Sequence, residues 1–167
     1  RMNRRYARDD YLALVGRIRE KIPDIGLSSD IMVGFPGETE EDFQATLDVV
    51  RRARFASCYC FVYSRRKGTP GYSMENQVPR EIKTDRIKRL IAEQNEITRE
   101  ISKTFEGKTV EILVDGLNDK YVGVYCGRTD CGKLVNFKSD RDLTGEFVTV
   151  KLNRSQSATL FGEIVEQ

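Results

Sequence analysis

Between Asp9 and Ile22 the apolar residues Leu12, Val15, Ile18 and Ile22 recur at three- and four-residue spacing, and Pro23 ends the run. That spacing predicts an amphipathic helix with one apolar face. The short run from Ser28 to Gly34 predicts a strand, and Phe35-Pro36-Gly37-Glu38 predicts a turn. Thr39 is placed to cap a second helix, with Glu40, Glu41 and Asp42 in the first turn, where the helix dipole favours acids. Phe43, Leu47 and Val50 then mark its apolar face. Cys58 to Tyr63, rich in aromatics, predicts a second strand, and Arg65 to Gly71 a loop. After Pro79 a long helix is predicted to about Phe105, with Ile87, Leu90, Ile91, Gln94, Ile97 and Ile101 facing one way. Helix, strand, helix, strand, helix is the order of a parallel sheet with crossover helices. Two strands do not make a stable parallel sheet alone. Residues 1–105 are therefore expected to be the tail end of a larger α/β domain.

From Lys108 the period changes to two. Strands are predicted over 108–114, 121–126, 133–137, 146–152 and 158–165, with turns at Asp115-Gly116, Gly127, Asp130-Cys131-Gly132 and Thr144-Gly145. Five short strands with no helix between them predict a small OB-like β-barrel over 106–167. The expected fold class is α/β plus β.

Composition narrows the chemistry. The chain has 167 residues and no apolar run near the roughly 18 that a membrane-spanning helix needs. Histidine is absent, which excludes Ser-His and Cys-His pairs and His-ligated metal from these residues. The four cysteines, Cys58, Cys60, Cys126 and Cys131, have no metal-ligand spacing and are read as packing thiols in a reducing cytoplasm. A chain that opens on Arg1 is expected to be part of something longer. Charge is uneven: residues 1–105 hold 20 Lys and Arg against 16 Asp and Glu, whereas residues 106–167 hold 8 against 10. Neither half is basic enough to announce a nucleic-acid binder by charge.

The densest local signal is Asp30-Ile31-Met32-Val33-Gly34-Phe35-Pro36-Gly37-Glu38. Alternation puts Asp30 and Met32 on one strand face and Ile31 and Val33 on the other. An acid below two glycines at a strand end suits the hydroxyls of a sugar, and glycine lets backbone approach a flat ring. The acids that follow argue against phosphate at that helix start. The plain alternative is a tight turn with a structural acid. Arg4, ahead of the first helix, could clamp a carboxylate or be an ordinary surface cation. Arg65-Arg66-Lys67 could hold an RNA backbone or form a solvated loop. Arg128, Lys133, Asn136 and Phe137 could make single-stranded RNA contacts or an ordinary hairpin.

Taken together, Met2-Asn3-Arg4-Arg5-Tyr6, the stretch DIMVGFPGETEEDF from Asp30 and Tyr63-Ser64-Arg65-Arg66-Lys67-Gly68-Thr69-Pro70 resemble the second half of a radical S-adenosylmethionine methylthiotransferase. The part from Gly107 resembles a TRAM domain, and GRTDCGKLVNF is similar to the MiaB type, which acts on N6-isopentenyladenosine beside the tRNA anticodon. The resemblance implies that residues 1–105 are the closing part of a radical-SAM (β/α) partial barrel and that 106–167 are the TRAM barrel. It implies S-adenosylmethionine and two 4Fe-4S clusters as cofactors of the parent enzyme. The C-x3-C-x2-C loop and the three further cysteines that hold those clusters are not in this sequence. No residue here is then expected to be catalytic or to ligate metal, and the chain alone is expected to be inactive.

The same resemblance assigns roles. Asp30 would accept from the ribose hydroxyls of S-adenosylmethionine, and Arg4 would hold its carboxylate. Ile31, Val33, Gly34, Phe35, Pro36 and Gly37 would pack beside the adenine. Arg65, Arg66, Arg128, Lys133, Asn136 and Phe137 would touch the tRNA anticodon stem-loop. The missing N-terminal part of the same polypeptide is an expected partner, with no membrane. Family loops often carry Arg-Pro-Gly-Thr where this chain has Arg66-Lys67-Gly68-Thr69, a departure that removes a rigid residue. The alternatives are a stand-alone RNA-binding module, or a methylthiotransferase acting on threonylcarbamoyl-adenosine in tRNA or on a ribosomal protein.

Overall fold

Thr39 caps its helix as its side chain dictates: Oγ1 accepts from the Asp42 N–H at 3.2 Å, and the Asp42 carboxylate accepts from the Thr39 N–H at 3.0 Å. The helix so started, α2 (Glu40–Ala53), follows α1 (Arg8–Lys21) and β1 (Ser28–Val33) in the computed structural model, which describes residues 2–165. β2 (Ser57–Val62), a one-turn helix α3 (Pro70–Ser73) and the long α4 (Arg80–Lys103) come next. The loop expected over 65–71 thus closes into that short helix, with Pro70 at its start.

The chain divides at Ile97/Thr98 into two compact units. In the first, β1 and β2 pair in parallel, with Asp30 opposite Tyr59 and Met32 opposite Phe61. One face of this ribbon is packed. Val33 is fully enclosed there, and Phe43, Leu47, Val50 and Ala53 of α2 join Phe55 and Leu90 in the same unit's core. Each large apolar side chain so buried contributes roughly 1.5–3 kcal/mol. α1 contributes less than its spacing predicts: Val15 is its one buried residue, and Ile22 remains 54% exposed. Ile91, also expected to face inward, is exposed.

In the second unit, β3 (Thr109–Leu117), β4 (Val124–Arg128), β5 (Leu134–Lys138), β6 (Phe147–Gln156) and β7 (Thr159–Ile164) close into a barrel of order β3-β4-β5-β7-β6. All pairs are antiparallel except β5 with β7. Ile112, Val114, Tyr125, Val135, Phe137, Leu143, Val150, Leu152 and Leu160 fill it. Two expected turns are not turns. Asp115-Gly116 lies within β3 as a bulge, because Gly116 adopts φ 144° and the chain stays paired. Gly127 lies within β4, where a Cβ would sit 2.5 Å from the Leu113 carbonyl oxygen. Its glycine serves close strand approach rather than reversal.

Candidate functional site

At the end of β1 the chain turns through Gly34 at φ +78°, a conformation costly for any other residue. A Cβ there would also meet the Lys83 side chain at 2.5 Å. The Gly34 N–H donates to Glu38 Oε2 at 2.9 Å, so the carboxylate four residues on closes the loop upon itself. Glu38 Oε1 accepts from Arg86 of α4 at 2.8 Å, and the same guanidinium nitrogen donates to the Glu38 carbonyl at 3.1 Å. Both side chains are buried, Arg86 at 5% exposed and Glu38 at 11%. The Gly37 N–H donates to the Asn76 carbonyl at 2.8 Å. Lys83 Nζ donates to the Tyr63 carbonyl at 3.1 Å and lies over the Tyr63 ring, which meets Phe35 edge-on at 5.2 Å. The loop is therefore held from three sides. Its free-anion position at the start of α2 is taken by the protein's own acids, as the run of carboxylates suggested.

Around it the charges form a chain. Arg89 donates to Glu40 at 2.7 Å and to Asp85 at 3.1 Å. The hydrogen bond from Arg89, with a second from Gln44, holds the Glu40 carboxyl down from 4.5 to about 2.

The other face of the β1–β2 ribbon is open. It carries Asp30 with Met32, Tyr59 and Phe61, which are 44%, 65% and 49% exposed. The Asp30 carboxylate makes no hydrogen bond or ion pair among the described residues and offers a free acceptor. Ile31 and Val33 lie on the face that alternation gave them. Their side chains point to the packed face, opposite Asp30, so a ligand lying on the Asp30 face meets Met32 instead. Period-two alternation carried that signal, since Met32, Tyr59 and Phe61 share the parity of Asp30 and its partner. Phe35 is half-buried and Pro36 buried, within the braced loop. Arg4 is exposed, and no hydrogen bond or ion pair joins it to that loop among the described residues. Cys58, on the packed face, donates to Gln94 Oε1 at 3.1 Å, and burial pushes its thiol up to about 12. It is a packing thiol.

The expected RNA contacts divide. Arg65 is stacked on Tyr72 and donates to its carbonyl from Nε at 3.2 Å and from an Nη at 2.6 Å, whereas Arg66 is exposed. Arg128 is exposed and paired with Asp115 at 3.3 Å. Lys133 is buried, with Nζ donating to Ser102 Oγ at 3.1 Å. Asn136 is buried and accepts from the Asn118 amide at 2.9 Å. Phe137 is 2% exposed, stacked on Tyr125 inside the barrel. Lys133 and Phe137 are thus corrections: an odd–even parity that points Val135 into the core points Phe137 there too. What the sequence reading passed over is a groove on the same unit walled by Tyr121, Phe147, Arg154 and Phe161.

Among the described residues no group of three Cys, Asp or Glu is placed to hold a metal, and no helix is long and apolar enough to cross a membrane. The cysteines present do not fit an iron–sulfur cluster. The open Asp30 face and the glycine loop beside it do fit a nucleoside.

Residues 103–165 match the TRAM domain family. The chain is 50% identical, over 98% of its length, to the tRNA-2-methylthio-N(6)-dimethylallyladenosine synthase of Acetivibrio thermocellus, of which it covers 34%. Identity to the proteins of that name in Alkaliphilus oremlandii and Clostridium novyi is 45% and 46%, over 99% of the chain in both cases and 35% and 36% of those proteins. The chain thus spans about a third of the length of the curated relatives it matches.

Proposed function

We propose that this chain, a homologue of the tRNA-2-methylthio-N(6)-dimethylallyladenosine synthases with a TRAM domain at residues 103–165, is the nucleoside-holding and tRNA-gripping part of a radical S-adenosylmethionine methylthiotransferase. The parent enzyme inserts a methylthio group at C2 of N6-isopentenyladenosine next to the anticodon. The observation that carries this is identity of 45–50% running through both units to proteins of one name. S-adenosylmethionine, bound to an iron–sulfur cluster held elsewhere in the polypeptide, supplies the radical chemistry.

The residues here bind and orient. Asp30 accepts from the ribose hydroxyls, Met32 shares its face, and Arg4 receives the carboxylate. The backbone from Gly34 to Gly37, braced by Glu38 and Arg86, lies beside the adenine. Arg66 meets the tRNA backbone, with Arg65 ordering that loop against Tyr72, and Arg128 touches the tRNA from the barrel. The cluster cysteines come from the rest of the polypeptide, so these residues alone turn over nothing. The enzyme works in the cytoplasm, on the anticodon stem-loop.

Asp30→Ala in the longer, cluster-bearing protein tests the reading. S-adenosylmethionine affinity by equilibrium dialysis is expected to fall about tenfold, the worth of one charge-assisted hydrogen bond. An unchanged affinity removes Asp30 from the site. A second reading, an RNA-binding module without catalysis, is favoured by one observation: the barrel has a complete core of its own.

A further inference from the structure

Resting on the RNA-binding reading of the barrel, we infer that it holds unpaired RNA bases by stacking them on Tyr121, Phe147 and the Arg154–Phe161 pair, and does not grip duplex phosphate. Charge leads to this. Residues 106–167 hold 8 Lys and Arg against 10 Asp and Glu. Of the 8, Lys133 is buried and Arg128 is paired with Asp115. The groove is lined by the cations Lys138, Arg141 and Arg154 and by the acids Glu111, Asp140, Glu146 and Glu163. A backbone threaded there would meet more carboxylates than cations. Phosphate tracking needs a surface of one sign.

Stacking needs rings in solvent, and this groove has them. Phe147 is 68% exposed and Tyr121 53%, on a barrel that keeps Phe137 and Tyr125 inside. Phe147 points outward because its neighbour Val148 packs inward against the core. The bulge between Leu152 and Arg154 resets the parity of β6 and turns Arg154 outward, where its guanidinium lies 4.2 Å above the Phe161 ring. A guanidinium held flat against one ring presents its other face to a base. Tyr121, Asn136 and Phe161 also wall the neighbouring depression, so the two form one continuous surface. Along β6, Phe147 and Arg154 are separated by roughly 23 Å at about 3.3 Å per residue, the length of several nucleotides rather than one base.

Fluorescence anisotropy of the 167-residue chain with a labelled single-stranded oligoribonucleotide of about eight nucleotides, and with the same sequence as a duplex, tests this. The single strand is expected to bind in preference to the duplex. Its log affinity is expected to fall against log salt with a slope no steeper than about −2, because three cations release few counterions. Phe147→Ala and Phe161→Ala are expected to weaken it at least about 5-fold each, and Lys151→Gln, at an exposed cation outside the groove, by less than about 2-fold. Phe147 is exposed, so its variant should keep the parent melting temperature. A steep slope with Phe147→Ala unchanged, or preference for the duplex, overturns the stacking surface and leaves RNA binding standing. No binding of either RNA overturns both.

Discussion

The two units of this chain solve the problem of a β-ribbon in opposite ways. The barrel pairs every strand on both sides and seals nine apolar residues inside. The α/β unit has two strands, one packed face and one face on which Met32, Tyr59 and Phe61 stand in solvent. What is exposed therefore means different things. On the barrel an exposed ring is an addition to a finished structure. On the ribbon the exposed rings occupy strand positions that a larger sheet would bury.

The sharpest way to break the comparison is inside the barrel. Phe137→Ala should cost about 4 kcal/mol and unfold that unit first in urea, followed by hydrogen exchange of β5 amides. Protection of those amides unchanged in the variant would mean the ring is not core. Next, Arg86→Met leaves the Glu38 carboxylate enclosed without its partner, and should cost about 3 kcal/mol in the first unit alone. The expected mark is faster exchange at Gly34, whose N–H the carboxylate holds; equal loss of protection in β5 would deny that the effect is local. Phe61→Thr, on the open face, should move stability by less than about 0.5 kcal/mol in the same titration. A cost as large as that of Phe137→Ala would mean the face is covered after all.

The smallest effect is one of pH. The Glu40 carboxyl, lowered from 4.5 to about 2 chiefly by the Arg89 hydrogen bond, stabilises the fold fully above pH 4.5. That contribution is lost as pH falls through the window toward about 2. The melting-temperature gap between the parent and Glu40→Gln should close over this range. A constant gap would sink the pairing.

Much of the fold was legible because its signals are local. The Thr39 cap, the period-two run from Lys108 and the shared parity of Asp30 and Met32 each need only a few neighbouring residues. The failures share a cause as well. Gly127 and Asp115-Gly116 look like turns, and only pairing of β3 with β4 shows that one is a close approach and the other a bulge. Phe137 and Lys133 look like an aromatic and a cation on an edge, until barrel closure decides which parity faces in. The Glu38–Arg86 bridge spans 48 residues and has no local mark. The Arg154–Phe161 stack depends on a bulge that shifts the parity within β6.

The parallel pairing of β5 with β7 has a kinetic consequence. β3, β4 and β5 pair as consecutive hairpins and β6 with β7 as another, so two local pieces can form early while the barrel stays unsealed. Closure waits for β7 (Thr159–Ile164), paired locally with β6, to meet β5, a non-local step that carries a loop-closure cost before any contact rewards it. During synthesis the nascent barrel would expose two unpaired edges until that strand emerges, and it is in this interval that the chain is most open to pairing with the wrong neighbour.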